Sequence, residues 1–302
     1  MLIAMGEVLK KVAPIIKKEK PDIILSGFDI GANFALTVAG AHFNIPIAHI
    51  QGGEVTGSID ESLRHAMSKF SNYHLVANLD AKKRLIKMGE KKEDIFVVGC
   101  PSLDALFNEP IINKKTLEKK FNLDLNKKLI VAIQHPVTSE NLSSKNQISQ
   151  TIQALKALNI QTLFVLPNND AGYLQIIKEI KSNNFNWTPT LSLSEYKSIL
   201  INACALVGNS SSGIHEATSF NVPVINIGTR QNGRLKPLNV INANYDKKDI
   251  LKKIKYCLND KKYRSVLKKV KNPYGDGKSA SKIIKVLKNI NLSKTTQKMN
   301  TY

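Results

Sequence analysis

Short apolar runs, most of them rich in Val and Ile, recur along the chain between stretches whose apolar positions repeat every three or four residues. The runs predict strands over residues 22–26, 45–50, 73–77 and 95–99, then over 129–134, 162–166, 205–208 and 222–227. They are continuous rather than alternating, as expected of strands covered on both faces. The intervening stretches predict helices over 59–70, 79–88, 149–158 and 247–258. Strand and helix alternating in this way read as an α/β fold with parallel sheets.

A polar, lysine-rich stretch over 108–128, with Pro110 and two Asn-Lys-Lys turns, separates the two sets of strands. It predicts a first domain over 1–112, a second over 113–290 and a flexible basic tail over 291–302. Two such domains predict a ligand in the crevice between them, at the carboxyl ends of the strands.

Composition narrows the function classes. The 302 residues are 42% hydrophobic, enough for a buried core and too many for a disordered chain. No run approaches ~18 uninterrupted apolar residues, so no membrane span is expected, and the first twenty residues do not read as a secretory leader. Cys100, Cys204 and Cys257 lie far apart with no CxxC pair, which points to a reducing cytoplasm rather than disulfides or zinc. The net charge of +20 would attract any polyanion. The lysines are spread out, however, and no RNP, zinc-finger or KH pattern accompanies them. A basic enzyme surface favouring an anionic small substrate fits better than nucleic acid.

The candidate chemistry follows strands. GNSSSGIHEA, over 208–217, follows one strand and opens a predicted helix. Its small residues admit a ligand to the backbone, and free N–H groups at a helix start favour phosphate. Ser210 and Ser211 would add donors, and Glu216 could accept both hydroxyls of a ribose. The plainer reading is a serine N-cap with a dipole-matched glutamate, which needs one serine rather than three between glycines. One strand later, Arg230 follows a Gly turn in INIGTRQNGR and is placed to clamp a diphosphate, or else is a solvated loop arginine. His135 in QHPVT and Asn168 in PNNDAG also sit after strands. His135 could hydrogen-bond a phosphate or stabilise a leaving group, or could be structural.

In the first half, HIQGGEVTGSIDESLRHA over 49–66 sets His49 before a Gly-Gly turn, then a loop into a helix capped near Ser58. Asp60 and Arg64 are four apart and could form only an ion pair worth a few tenths of a kcal/mol. Two histidines, four acids including Asp29 and Glu54, and an arginine beside glycine hinges exceed that need. Carboxylates in such a cleft are natural general bases.

Together with NPYGDGKSASKI over 272–283, these blocks resemble the hydrolysing UDP-N-acetylglucosamine 2-epimerases, a nucleotide-sugar 2-epimerase family of two Rossmann-like domains in the GT-B architecture. The resemblance runs over 21–287, in order. It implies removal of a C2 proton, elimination of UDP, addition of water at C1 and return of a proton to the opposite face of C2. It implies that Ser210, Ser211 and Glu216 hold the phosphates and ribose of UDP, assisted by Arg230 and His135, and that Asp60 and Arg64 belong to the first-domain active-site helix; Asn168 is a UDP candidate by its placement after a strand. No metal or redox cofactor is implied, and a homodimer is the default assembly.

Three departures stand out. Phe28 and Asp29 occupy positions where many members have Asp-Arg after a glycine, so Asp29 substitutes through a shifted turn or the role has moved. Gln51 stands where some relatives have a glutamate, with Glu54 the nearest acid to take over. The family's opening strand and Gly-Thr-Arg loop have no counterpart before Met1, so the first domain is expected to be truncated, with residues 1–20 an internal helix and an apolar sheet edge exposed. Within the enzyme class, a UDP-2,4-diacetamido-trideoxyhexose is the alternative substrate, and non-hydrolysing epimerases or a GT-B glycosyltransferase are weaker alternatives. Outside it, the chain would be an inactive UDP-sugar-binding protein.

Overall fold

All eight expected strands form in the computed structural model, which describes residues 2–28, 31–292, 298, 299 and 301. In the first half they are β1 (Ile24–Gly27), β2 (Ile47–Ile50), β3 (Tyr73–Val76) and β4 (Ile95–Val97). The second half holds β5 (Leu129–Ile133), β6 (Gln161–Val165), β7 (Asn186–Thr188), β8 (Ala203–Gly208), β9 (Val224–Ile227) and β10 (Val240–Ala243). Every recorded pairing is parallel. The first sheet runs β1-β2-β3-β4 and the second β10-β9-β8-β5-β6-β7. Sequence pattern did not predict the two outer strands of the second sheet, β7 and β10. Both are short and only partly buried.

The chain divides into two units, Met1–Asp104 with Pro273–Tyr302, and Ala105–Asn272. This differs from the expected division at 112/113 and 290/291. The stretch over 108–128 is not a bare linker. It contains the helix Lys114–Phe121, and Leu117, Phe121, Leu123 and Leu125 are buried with Leu129, Val131 and Leu206 in the second unit. The terminal helix Ser279–Asn289 belongs to the first unit, where Ile283 packs on Ala48, Tyr73, Leu75 and Val98. Its first turn is capped from a distance, since the Asp104 carboxylate accepts from the Ser279 and Ala280 amides at 2.9 and 2.7 Å. Gly99 (φ +94°) makes room for this turn, because a Cβ there would lie 2.6 Å from Ser279 Oγ.

The expected helix at the start of the chain is present as Leu2–Glu19, with Ile16 buried against Ile24, Ala39 and Ile47. β1 is an outer strand among the described residues, and its Leu25 is 46% exposed. The tail was expected to be flexible. Its described residues instead dock on the first unit: Lys298 pairs with Glu90 at 2.6 Å, and the Thr301 amide donates to the Gly89 carbonyl at 2.9 Å.

Candidate active site

In the second sheet the first strand of the unit, β5, lies between β6 and β8. The chain winds outward to one side through β6 and β7, then returns to start the other side at β8. The carboxyl ends of β5 and β8 are thus the switch point at which open α/β sheets bind ligands. His135 follows β5 and the serine motif follows β8.

Asn209, almost fully buried, stitches these two loops together. Its Oδ1 accepts from the His135 amide at 2.7 Å, and its Nδ2 donates to the His135 carbonyl at 2.8 Å. Its backbone N–H donates to the Ile133 carbonyl at 3.0 Å. Its own carbonyl accepts from Gln231 Nε2 at 2.9 Å and from Arg230 Nη1 at 3.3 Å. One side chain and one peptide therefore bring His135, Ser210 and Arg230 together at the ends of three strands. Asn168 joins them from the end of β6: its amide and Oδ1 each lie 3.1 Å from His135 Nδ1, and its Nδ2 donates to Asp170 Oδ2 at 2.6 Å. Burial, with the Arg230 guanidinium second, holds the His135 imidazole down at about 4, so it is neutral at physiological pH.

The serine motif differs from expectation in one respect. The helix it opens is a single turn, Ser212–His215, followed by a 3-10 turn over Ala217–Phe220. A full helix dipole is therefore not available, and the site relies on local donors. Ser210 Oγ lies 3.0 Å from Ser212 Oγ and accepts from the Ser212 amide at 3.3 Å. Ser210, Ser211 and Glu216 are all half-buried. The Arg230 loop is braced by Thr229, whose hydroxyl donates to Glu140, and by Gly228 (φ +74°), where a Cβ would collide with the Tyr245 ring at 2.0 Å.

In the first unit, His49 lies next to the end of β2 and is completely buried, its Nδ1 3.1 Å from Ser68 Oγ. Burial, then His74, holds its imidazole down at about 3. Gln51 follows in the left-handed region (φ +60°), and its Nε2 donates to Cys100 Sγ at 2.7 Å. Gly53 is also left-handed, and a Cβ there would lie 2.6 Å from the Ala81 carbonyl. This places Glu54 inside the unit, where Oε1 accepts from Asn78 Nδ2 at 3.3 Å. Asn78 simultaneously caps the helix Leu79–Lys87.

Asp60 and Arg64 lie on the helix Asp60–Phe70 as expected, but its N-cap is Ile59 rather than Ser58. Ser58 instead donates to Asp60 Oδ2 at 2.9 Å. Arg64 is buried and donates from Nη1 to the Glu54 carbonyl at 3.0 Å, linking the loop to the helix. Asp29 lies outside the described residues. Phe28 beside it takes φ +62°, an uncommon conformation for a bulky side chain. Sequence reasoning missed Asn209, Asn78 and Cys100. Asn209 lay within the serine motif and carried a signal there, whereas the other two had none.

The sequence profile of the family described as UDP-N-acetylglucosamine 2-epimerase matches residues 1–288. The chain belongs to this family. Epimerase relatives include a hydrolysing UDP-N,N'-diacetylbacillosamine 2-epimerase of Legionella pneumophila, 39% identical over 87% of this chain and 71% of that one. A GDP/UDP-N,N'-diacetylbacillosamine 2-epimerase of Campylobacter jejuni is 38% identical over 90% and 73%. A UDP-N-acetylglucosamine 2-epimerase of Neisseria meningitidis is 32% identical over 82% and 66%. In fold, the chain resembles the crystal structure of UDP-GlcNAc 2-epimerase from Neisseria meningitidis bound to UDP-GlcNAc, with a TM-score of 0.84 at 20% identity, over 95% of this chain and 81% of that one. The two parallel α/β sheets are those of the GT-B-like epimerases, and the chain is an enzyme of the nucleotide-sugar 2-epimerase class. Among the described residues no helix is long and apolar enough to cross a membrane.

Proposed function

We propose that this epimerase hydrolyses a UDP-2-acetamido sugar with inversion at C2, and that UDP-N,N'-diacetylbacillosamine is its preferred substrate. The observation that carries the preference is the higher identity to two relatives named for that sugar, 39% and 38%, than to the meningococcal relative named for UDP-N-acetylglucosamine, 32%. This reverses the order expected from sequence motifs, which put UDP-N-acetylglucosamine first. That substrate remains the second reading, supported by the meningococcal relative.

In this reading a carboxylate removes the C2 proton, the C1–O bond breaks and its electron pair leaves with UDP, giving a 2-acetamidoglycal. Water adds at C1, and an acid returns a proton to the opposite face of C2. Asp60, Glu54 and Asp29 are the candidate proton carriers, and Arg64 orients them. Ser210, Ser211 and Asn168 donate to the diphosphate, and Glu216 accepts from the ribose hydroxyls. Arg230 and the neutral His135 stabilise the charge that builds on the departing phosphate. Donors already fixed by Asn209 need no reorganisation as that charge develops.

The test is to incubate the purified protein with each UDP-sugar in deuterated water and follow UDP release and C2 labelling by NMR. Release with deuterium at C2, faster for the diacetamido sugar, is expected. Faster turnover of UDP-N-acetylglucosamine would install the second reading. UDP binding without release would refute the enzymatic one.

A further inference from the structure

One buried cluster in the first unit has no part in that chemistry. The Glu90 side chain is 2% exposed, and three cationic or basic groups from separate elements converge on it. Lys69 Nζ, from the helix Asp60–Phe70, lies 2.9 Å from Oε1, while His74 Nε2, from β3, lies 3.0 Å from Oε2. Lys298 Nζ, from the terminal segment, lies 2.6 Å from Oε2. Lys298 also donates to the Ser68 carbonyl at 2.7 Å. That carbonyl belongs to the last turn of the helix, where it also accepts from the Ser71 amide at 3.2 Å, and the negative end of the helix dipole favours a cation there.

From Ser68 the connections run to the site. Its hydroxyl donates to the Arg64 carbonyl at 3.0 Å and lies 3.1 Å from His49 Nδ1. His49 in turn lies directly under the glycine turn, where a Cβ on Gly52 would be 2.7 Å from Nδ1. The terminal segment is held at a second point. The Thr301 amide and hydroxyl donate to the Gly89 carbonyl at 2.9 and 3.1 Å, and a Cβ on Gly89 (φ +85°) would lie 2.6 Å from the Thr301 carbonyl oxygen.

We propose that Lys298 is a positioning residue: through the Ser68 carbonyl and Glu90 it ties down the far end of the helix that carries Asp60 and Arg64. The inference rests on the assignment of those two residues to proton transfer. A helix is a stiff rod, so fixing its last turn fixes the direction in which its first turn presents Asp60. Lys298 is thereby part of the scaffold that holds this helix in the first unit.

The test compares wild-type, Lys298→Met and Lys298→Arg full-length proteins. Three quantities are read: kcat on the UDP-sugar, UDP affinity by calorimetry, and amide exchange within residues 60–70. Methionine keeps the apolar stem and removes the charge. We expect Lys298→Met to lower kcat by about ten- to a hundredfold, the range in which small misplacements act. UDP affinity should stay within about twofold, exchange should quicken in the last turns of the helix, and Lys298→Arg should recover most of the loss. A kcat within about twofold of wild type overturns the proposal. So does a loss matched by weaker UDP binding and faster exchange throughout the second unit, which would be general destabilisation. If the wild-type protein turns over neither sugar, the functional reading fails by itself. The tether is then judged by exchange alone, and unchanged exchange over 60–70 after Lys298→Met overturns it.

Discussion

Replacing Asn209 tests whether the second unit presents its donors as a prearranged set. Asn209→Ala removes the 2.7 and 2.8 Å bonds to the His135 amide and carbonyl and leaves both groups without their partner. The bonds are only partly buried, so each loss is set near the lower end of the usual range, about 1–1.5 kcal/mol, giving ~2–3 kcal/mol in all. For a unit of this size a change of 1 kcal/mol moves the melting temperature by about 2–4 °C, so a fall of roughly 5–10 °C is expected. UDP affinity should fall as well, by about ten- to a hundredfold, the equivalent of one charge-assisted hydrogen bond. Asn209→Asp separates the two effects. It keeps the acceptor for the His135 amide, but it places a carboxylate among the proposed phosphate donors and loses the bond to the carbonyl. It should cost more in UDP binding than in stability. Thermal unfolding and UDP calorimetry measure both variants. A melting temperature within about 2 °C of wild type and an unchanged UDP affinity for Asn209→Ala would refute the reasoning.

Other substitutions probe single groups. Arg230→Ala should weaken UDP binding by about tenfold or more, and Arg230→Lys should recover only part of it, because an ammonium lacks the planar fork; calorimetry reads both. Asp60→Asn should abolish deuterium incorporation at C2 while leaving UDP affinity unchanged. His49 predicts a pH dependence of stability, since its imidazole titrates near 3 when folded against 6.5 in the open chain. Below pH 6.5 the unfolded chain takes up a proton that the folded one refuses, so stability falls with pH, by about 2 kcal/mol at pH 5. His49→Gln should flatten that slope in denaturant titrations at pH 7 and pH 5.

Where the sequence spoke clearly, its signal was local. The inner strands are apolar because helices cover both faces, so Leu129–Ile133 and Val224–Ile227 stand out from their neighbours. Asn186–Thr188 and Val240–Ala243 lie at the sheet edges, have half-exposed positions and give no comparable run. In the stretch 108–128 the lysines hid Leu117, Phe121, Leu123 and Leu125, which share one buried side while the charges face water. The return of the terminal helix to the first sheet depends on Asp104 capping Ser279 and Ala280, a pairing across a long stretch of chain that no periodicity marks. The same holds for Lys298 and Glu90. In the site, the residues with motif context were visible, whereas partners such as Asn78 and Cys100 act through contacts that exist only in the folded unit.

The two halves of the proposed chemistry make opposite demands, and the local structures differ accordingly. A departing diphosphate is stabilised best by donors that do not move as charge develops. In the proposed reading the second unit meets this with Asn209 clamped between two strand ends and with a neutral His135 that would hydrogen-bond the phosphate without carrying a charge of its own. Proton exchange on opposite faces of one carbon needs carboxylates held at defined angles around it. In the first unit, left-handed Gln51 and Gly53 turn Glu54 inward, and one helix carries Asp60 and Arg64 one turn apart, the residues proposed for that exchange. Backbone of this kind is intrinsically unfavourable for Gln51, so it must be held by what surrounds it. The Cys100 thiol, which accepts from Gln51, and the buried His49, packed against Gly52, supply that support. The two demands also predict where variants will act. Substitutions in the support beneath the first-unit loop should lower kcat and spare UDP binding, and those around Asn209 should lower both.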